Sequence, residues 1–356
     1  MSRLTLVAVA VVLVATANAQ TKIVSPAGLT NSYGAINNSI PWGPFVPSGN
    51  LIGEIMCQQI DDQMIGVAGL VQAMAFRHQY TATHIAKTYT SQVTLADAAT
   101  PAAGISATFA NNFLVGGSAT VVFNGNINFP ANSPYPRPPA AFDAPVLFTT
   151  PHVHTGINPL LWEVITYGTT PVTPTHFFER GPGTTHTAGW VGNGCTISGG
   201  VNPMAATGTT NATTVTNNLT NGPLSAPGAL MIGDTSGLFS GLPLPVNLGF
   251  IGSPTCDLNI NVLLFLGVTT SATGTAAFPI PYTMSPAVSG TRLRTQYVAV
   301  DGLSIVTSNG LDHSVPYNAT TGKAWPQTRV YANGWGATPP ALGTIQINGL
   351  VTEWTL

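Results

Sequence analysis

Charge is what this chain has least of. It carries 10 Lys and Arg and 12 Asp and Glu in 356 residues, 6% charged, against roughly 25% in average soluble proteins. A formal net charge of −2 gives no field to steer the chain toward nucleic acid or anionic lipid. Cysteine is also scarce, with only Cys57, Cys195 and Cys256 present. Beyond residue 19 no run reaches the ~18 uninterrupted apolar residues of a spanning helix, so no membrane insertion is expected of the mature chain. H-E-x-x-H, G-x-S-x-G, a spaced D-x-D-x-D loop and Cys-rich metal signatures are all missing. The acids are scattered, mostly beside turns: Asp97, Asp143, Asp234, Asp257, Asp301 and Asp312. No catalytic or cofactor-binding residue is assigned from local motifs.

What is present is apolar and turn-rich. Hydrophobic residues make up 44%, with 38 Gly and 29 Pro, so the chain has the means to bury a core and is not a disordered polymer. Thr, Asn, Ser and Gln must supply the polar surface. Neutral surfaces of this kind accompany proteins that meet glycans, each other or a wall. Residues 1–19 read as a secretory signal peptide: a basic start at Arg3, the apolar run LTLVAVAVVLVAT, and Ala17-Asn18-Ala19 before Gln20. The C-terminal GLVTEWTL shows no anchor or sorting signal. The expected product is exported, secreted or retained in the cell envelope, where a disulfide is permissible.

Period-two alternation sets the fold class. LNINVLLFLGV places Leu258, Ile260, Val262, Leu264 and Leu266 on one face, and KTYTSQVTLADA, ATVVFNGNINF, DAPVLFTT and PLLWEVITYG alternate between turns. VAGLVQAMAFRHQY (67–80) is expected to be a strand by the company it keeps, and SATFANNFLVGG (106–117) a short helical turn. Residues 20–55 are irregular, with Trp42 and Phe45 packing as a first edge. The Pro/Gly/Thr-rich run from Pro171 to Cys195 reads as a crossing segment, and DHSVPYNATTGKAWP, with Asp312-His313, as a linker before a final β-pair. The expectation is an all-β chain: an antiparallel, jelly-roll-like β-sandwich with a second, smaller β-sandwich.

The ordered motifs MCQQIDDQ, GLVQAMAFRHQ, SQVTLADA, ISATFANNF, TVVFNGNINF and FDAPVLFTTPHVHTGINPLLWEVITYG, with the closing TRVYANG…GTIQINGLVTEW, resemble the amino-terminal sandwich of secreted β-rich proteins abundant in planctomycete-type bacteria, a group whose functions are mostly unassigned. GCTISGGVNPMAATG…APGALMIG…GFIGSPTCDL…GTAAFPIPYT…GTRLRTQYVAVDG…TSNGL is similar to a small β-domain that in such proteins usually ends the chain. This resemblance implies a discontinuous first domain, 20–188 plus 322–356, with residues 189–321 inserted in it. The alternative is a simple tandem whose last hairpin belongs to the second domain. The resemblance implies no functional residues.

Several side chains are candidates for a specific role. Cys195 and Cys256 suit a disulfide closing about 60 residues, worth roughly 4 kcal/mol in the chain-entropy model, against two separate buried thiols; Cys57 is expected to be buried and unpaired. His152-Val153-His154 has the spacing that puts two imidazoles on one strand face, and His176, His186 or Glu179 would complete a metal site. Against this stands a Pro/Gly-bounded segment in which solvated histidines are ordinary. Asp61 and Asp62, with Glu54, offer oxygens to a structural Ca²⁺. Glu163 shares a face with Leu161 and Ile165, as a buried structural acid or a general acid. Trp335, with Tyr331 and Trp325 nearby, suits stacking on a sugar ring or covering a domain junction. The expected function is that of an exported, non-catalytic structural or adhesive protein of the cell surface or envelope, meeting itself or a wall or extracellular glycan. A carbohydrate-binding, lectin-like module is the alternative, and a secreted enzyme without a local motif the third.

Overall fold

The computed structural model describes residues 20–34, 36–42, 54–117, 119–171, 175–181, 183–333 and 340–356. The signal peptide expected at 1–19, Phe45 and Trp335 lie outside the described residues. Chain order gives β1 Lys22–Ser25, β2 Ile36–Asn38, β3 Ile55–Asp61, β4 Gly69–Phe76, β5 Lys87–Asp97, β6 Thr120–Phe129, β7 Ala144–His154, β8 Leu160–Thr170 and β9 Phe178–Arg180. There follow β10 His186–Thr187, β11 Gly189–Val191, β12 Ala205–Thr210, β13 Thr214–Thr220, β14 Pro227–Asp234, β15 Leu238–Phe239, β16 Leu242–Pro243, β17 Val246–Leu248, β18 Ser253–Leu258, β19 Asn261–Thr269, β20 Ala276–Pro281, β21 Arg292–Asp301 and β22 Ser304–Ser314. The chain closes with β23 Gln327–Asn333, β24 Thr344–Gln346 and β25 Thr352–Thr355. Helical structure among the described residues is limited to short 3-10 turns, one at Phe109–Asn112 inside the stretch where the sequence suggests one.

The first sandwich faces a six-stranded sheet, β24-β23-β3-β8-β5-β6, against a four-stranded one, β1-β25-β4-β7. Their facing side chains form one core: Cys57, Val93, Trp162 and Val164 from the larger sheet, and Val71, Met74, Phe76 and Trp354 from the smaller. Trp42 sits at its centre, edge-on to Phe76, Tyr89 and Phe129. β3 is buried along its whole length because the larger sheet is covered on both faces. Its odd positions Ile55 and Cys57 enter the core, while Met56 and Ile60 pack outward under Ala102, Ile105 and Phe109.

In the second sandwich β10-β12-β13-β20 lies against β11-β22-β21-β14-β19. Thr295 and Tyr297 of β21 reach Asn217 on β13, whereas Gln296 between them turns to the carbonyl of Asp257 on β18. The β17-β18 hairpin thus covers the opposite face of the same sheet. Cys195 and Cys256 form a disulfide that ties this hairpin to the segment ahead of β12.

Strand pairing separates the chain into two sets. β23 pairs with β3, and β25 pairs with both β1 and β4, so these closing strands lie among strands that precede residue 171. β10 to β22 form ladders only with one another, beginning a few residues ahead of Gly189. The sets meet at the isolated bridge of Tyr33 with Thr187, where Arg137 reaches Trp190 and Asn193, and around Asp312. Its buried carboxylate takes Arg292 and Arg294 from β21 and the Asn31 amide from the other set. Two local readings change here. The crossing segment after Pro171 contributes β9, β10 and β11, and β22 runs on through Asp312-His313, which are fully buried and not a linker.

Candidate functional site

β7 is an edge strand, and its alternation turns His152 and His154 into the molecule while Val153 points out, 68% exposed. The two imidazoles face the end of β5, where Asp97 closes the larger sheet. One nitrogen from each ring and a carboxylate oxygen of Asp97 lie within 4.8 Å of one another. His154 Nδ1 stands 3.3 Å from Asp97 Oδ1. Its other nitrogen, Nε2, is 3.1 Å from the Met64 carbonyl. His152 Nδ1 is 3.1 Å from the Thr120 hydroxyl at the start of β6. Burial, and then the neighbouring His154, hold the His152 imidazole below its usual range. The cluster therefore bridges the two sheets of the first sandwich, with one ligand-type group from one sheet and two from the other.

His176 does not join this cluster. It packs with His78 and His84, neither of which the sequence singled out, at ring-centroid distances of 5.0 Å each. Hydrogen-bond direction fixes the protons. The Ile85 carbonyl accepts from His176 Nε2 at 2.7 Å, which leaves His176 Nδ1 to accept from His78 Nε2 at 3.3 Å. His78 Nδ1 faces Asp143 Oδ1 at 2.7 Å. Asn132 and Tyr135 complete the Asp143 carboxylate. Burial lowers His84 to about 4 and His176 to about 3. Each ring nitrogen of this trio has a protein partner, which is the pattern of a structural network.

The other expected participants fall into structural roles. Glu179 is fully buried against Arg77, 2.7 Å away, and its second oxygen accepts from the Gly34 amide. His186 bonds the Ser314 carbonyl at 3.1 Å. Asp61 has both oxygens filled: Ser25 Oγ and the Gln63 amide on one, Gln327 Nε2 and Trp354 Nε1 on the other. Asp62 accepts from the Ala102 amide. Donors of this number and kind hold a carboxylate in place without a cation. Glu163 accepts from Gln58 Nε2 at 2.7 Å on the outward face of the larger sheet, where burial pushes its carboxyl up. Cys57 is buried and unpaired, its thiol pushed by burial up to about 12.

Of the aromatic candidates, Tyr331 packs partly buried against the first core, and Arg329 lies over its ring. Trp325 is buried edge-on to Tyr317. It fills the space where Gly181 has no side chain; a Cβ there would lie 2.0 Å from the indole ring. A cleft of about 380 Å³ between β1, β4 and β7 has Lys22 and Glu353 as its ionisable lining groups, and these pair with each other at 2.7 Å.

A different surface was not singled out from the sequence. β19 ends its sheet, with β14 on one side and no ladder on the other among the described residues. Its sequence NVLLFLGVT has no charge and no proline, and Leu263, Leu264 and Phe265 are 69%, 49% and 62% exposed. The adjoining β15-β16 hairpin adds exposed Leu238 and Leu242. β20, the edge of the opposing sheet, carries Pro279 and Pro281 instead. LNINVLLFLGV, expected to set Leu258, Ile260, Val262, Leu264 and Leu266 on one strand face, is instead divided between β18, which ends at Leu258, and β19, which begins at Asn261. The signal available was apolar residues on both faces at once. Among the described residues no helix is long and apolar enough to cross a membrane. No family model matches the chain, and no curated protein matches it.

Proposed function

We propose that the protein is an exported, non-catalytic structural or adhesive component of the cell surface or envelope that associates with further copies of itself through β19. The observation that carries this reading is the uncharged, apolar, unpaired edge of that strand. Edge strands are ordinarily blunted by Lys, Pro or bulges, because a free row of amides and carbonyls templates pairing with another chain. β20 has two prolines for that purpose and β19 has none. Exposed Leu263 and Phe265 extend the edge into an apolar patch of the kind that marks association surfaces. Export agrees with the apolar run at 1–19 and with the Cys195–Cys256 disulfide. The strand pairing supports the reading of residues 189–321 as a module set into a host sandwich of 20–188 plus 322–356, which leaves the β19 edge on the module.

Sedimentation velocity of the chain from Gln20 onward tests the reading. The expected result is a concentration-dependent shift to dimers or longer species, reduced at least about tenfold in association constant by Phe265→Lys, since a charge at a desolvated patch costs more than 1.4 kcal/mol. A strictly monomeric chain at high protein concentration contradicts it. A Trp335→Ala variant in a glycan array tests the lectin-like alternative independently.

A further inference from the structure

Three buried polar atoms converge between the two sheets of the first sandwich with no hydrogen-bond partner among the described residues: His152 Nε2, His154 Nδ1 and Asp97 Oδ1. The partners of the opposite ring nitrogens explain why these are lone pairs. The Met64 carbonyl only accepts, so in the neutral ring the His154 proton sits on Nε2 and Nδ1 is a lone pair. Thr120 Oγ1 lies 3.1 Å from His152 Nδ1, and where the hydroxyl accepts that nitrogen's proton Nε2 is free as a ligand. Two imidazole lone pairs and a carboxylate oxygen then face one another out of water, an arrangement that repels itself unless a positive centre lies between them. Protonating His154 satisfies its contact with Asp97 but leaves His152 Nε2 without a partner.

We propose that Asp97, His152 and His154 bind one divalent transition-metal ion of the zinc class, four-coordinate, with water as the fourth ligand. The donor set of two imidazoles and one carboxylate suits such an ion and not Ca²⁺, which takes oxygen. Metal–ligand distances of about 2.0–2.2 Å in a tetrahedron place neighbouring ligand atoms about 3.4 Å apart, and His154 Nδ1 stands 3.3 Å from Asp97 Oδ1. All three atoms lie within 4.8 Å of one another, near that spacing. The outer contacts are those a ligating histidine needs: Met64 and Thr120 fix the tautomer and aim of the two rings. Asp97 is 19% exposed on its side chain, while the three facing atoms themselves are buried. The site lies on the host sandwich, away from β19, and does not depend on self-association.

The test is a titration of the chelator-dialysed chain with Zn²⁺ by calorimetry, and with Co²⁺ by visible absorption. The expected result is one Zn²⁺ per chain and the intense visible bands of four-coordinate Co²⁺. His152→Gln and Asp97→Asn are each expected to weaken binding at least ~100-fold, and Thr120→Val about tenfold, the range of an outer-shell contact. Thr120→Val removes a single partly buried hydroxyl contact, so it reports even if a ligand variant fails to fold. Absence of stoichiometric binding by the unaltered chain with its β-type circular dichroism intact overturns the proposal. So does a weak six-coordinate Co²⁺ spectrum, or binding that His152→Gln and Asp97→Asn leave unchanged.

Discussion

Asp61 is a carboxylate with no exposure and four donors closed on it, from β1, β23, β25 and its own 3-10 turn. It locks the first and last strands of the first sandwich to β3. In Asp61→Asn one of the two acceptor oxygens becomes an NH₂ that confronts two donors. The expected loss is about 2–3 kcal/mol, read by urea denaturation. Buried histidines give the second residue-scale expectation. Burial lowers His186 and His313 to about 4 in the fold, whereas an unfolded histidine titrates near 6.5. Between those values the unfolded chain binds protons that the folded chain refuses, so stability rises with pH across that window. Their full contribution is present above about pH 6.5 and is lost as pH falls toward 4. At pH 5 the expected loss relative to pH 7 is about 2 kcal/mol per histidine, measured by urea unfolding at both pH values. A flat profile would show these rings reach solvent.

At the scale of elements, alternation was readable wherever the two faces of a strand meet different surroundings. It placed Glu163 on the face of Leu161 and Ile165, and His152 with His154 on one side of β7. The third member of that cluster was not readable, because Asp97 ends a strand of the opposite sheet and only sheet packing brings it near. His78, His84 and His176 come together for the same non-local reason. Asp312-His313 has linker composition, followed by Pro316, yet is buried: Arg292 and Arg294 neutralise the acid, and Thr210, Thr295 and Asn217 bond the ring. The disulfide is the clearest element-scale device. It closes a separation of 61 residues, worth about 4 kcal/mol in the chain-entropy model. Reduction, or Cys256→Ser, is expected to lower the unfolding midpoint of the 186–314 strand set by that order. An unchanged midpoint would show that the hairpin β17-β18 is held by packing alone.

At the scale of the whole molecule the amino-terminal segment serves both strand sets. Ser32 and Asn31 bond Asp312, Tyr33 bridges Thr187, and the Leu29 and Ser32 carbonyls accept from Arg77. Arg137 adds a stack on Trp190 at 4.2 Å and a bond to Asn193. Asp312→Ala leaves two arginines facing each other at this junction, and a loss of about 3–5 kcal/mol is expected. Chemical unfolding would then show the two strand sets separating in their transitions. The surface that remains is nearly free of charge, and β19 is an unguarded, apolar edge on it. Amide hydrogen exchange of residues 261–269, followed as protein concentration is raised, addresses self-association most directly. Association through the edge requires the outward amides of β19 to become protected with concentration while those of the proline-blunted β20 do not. Exchange in β19 that is independent of concentration would contradict it.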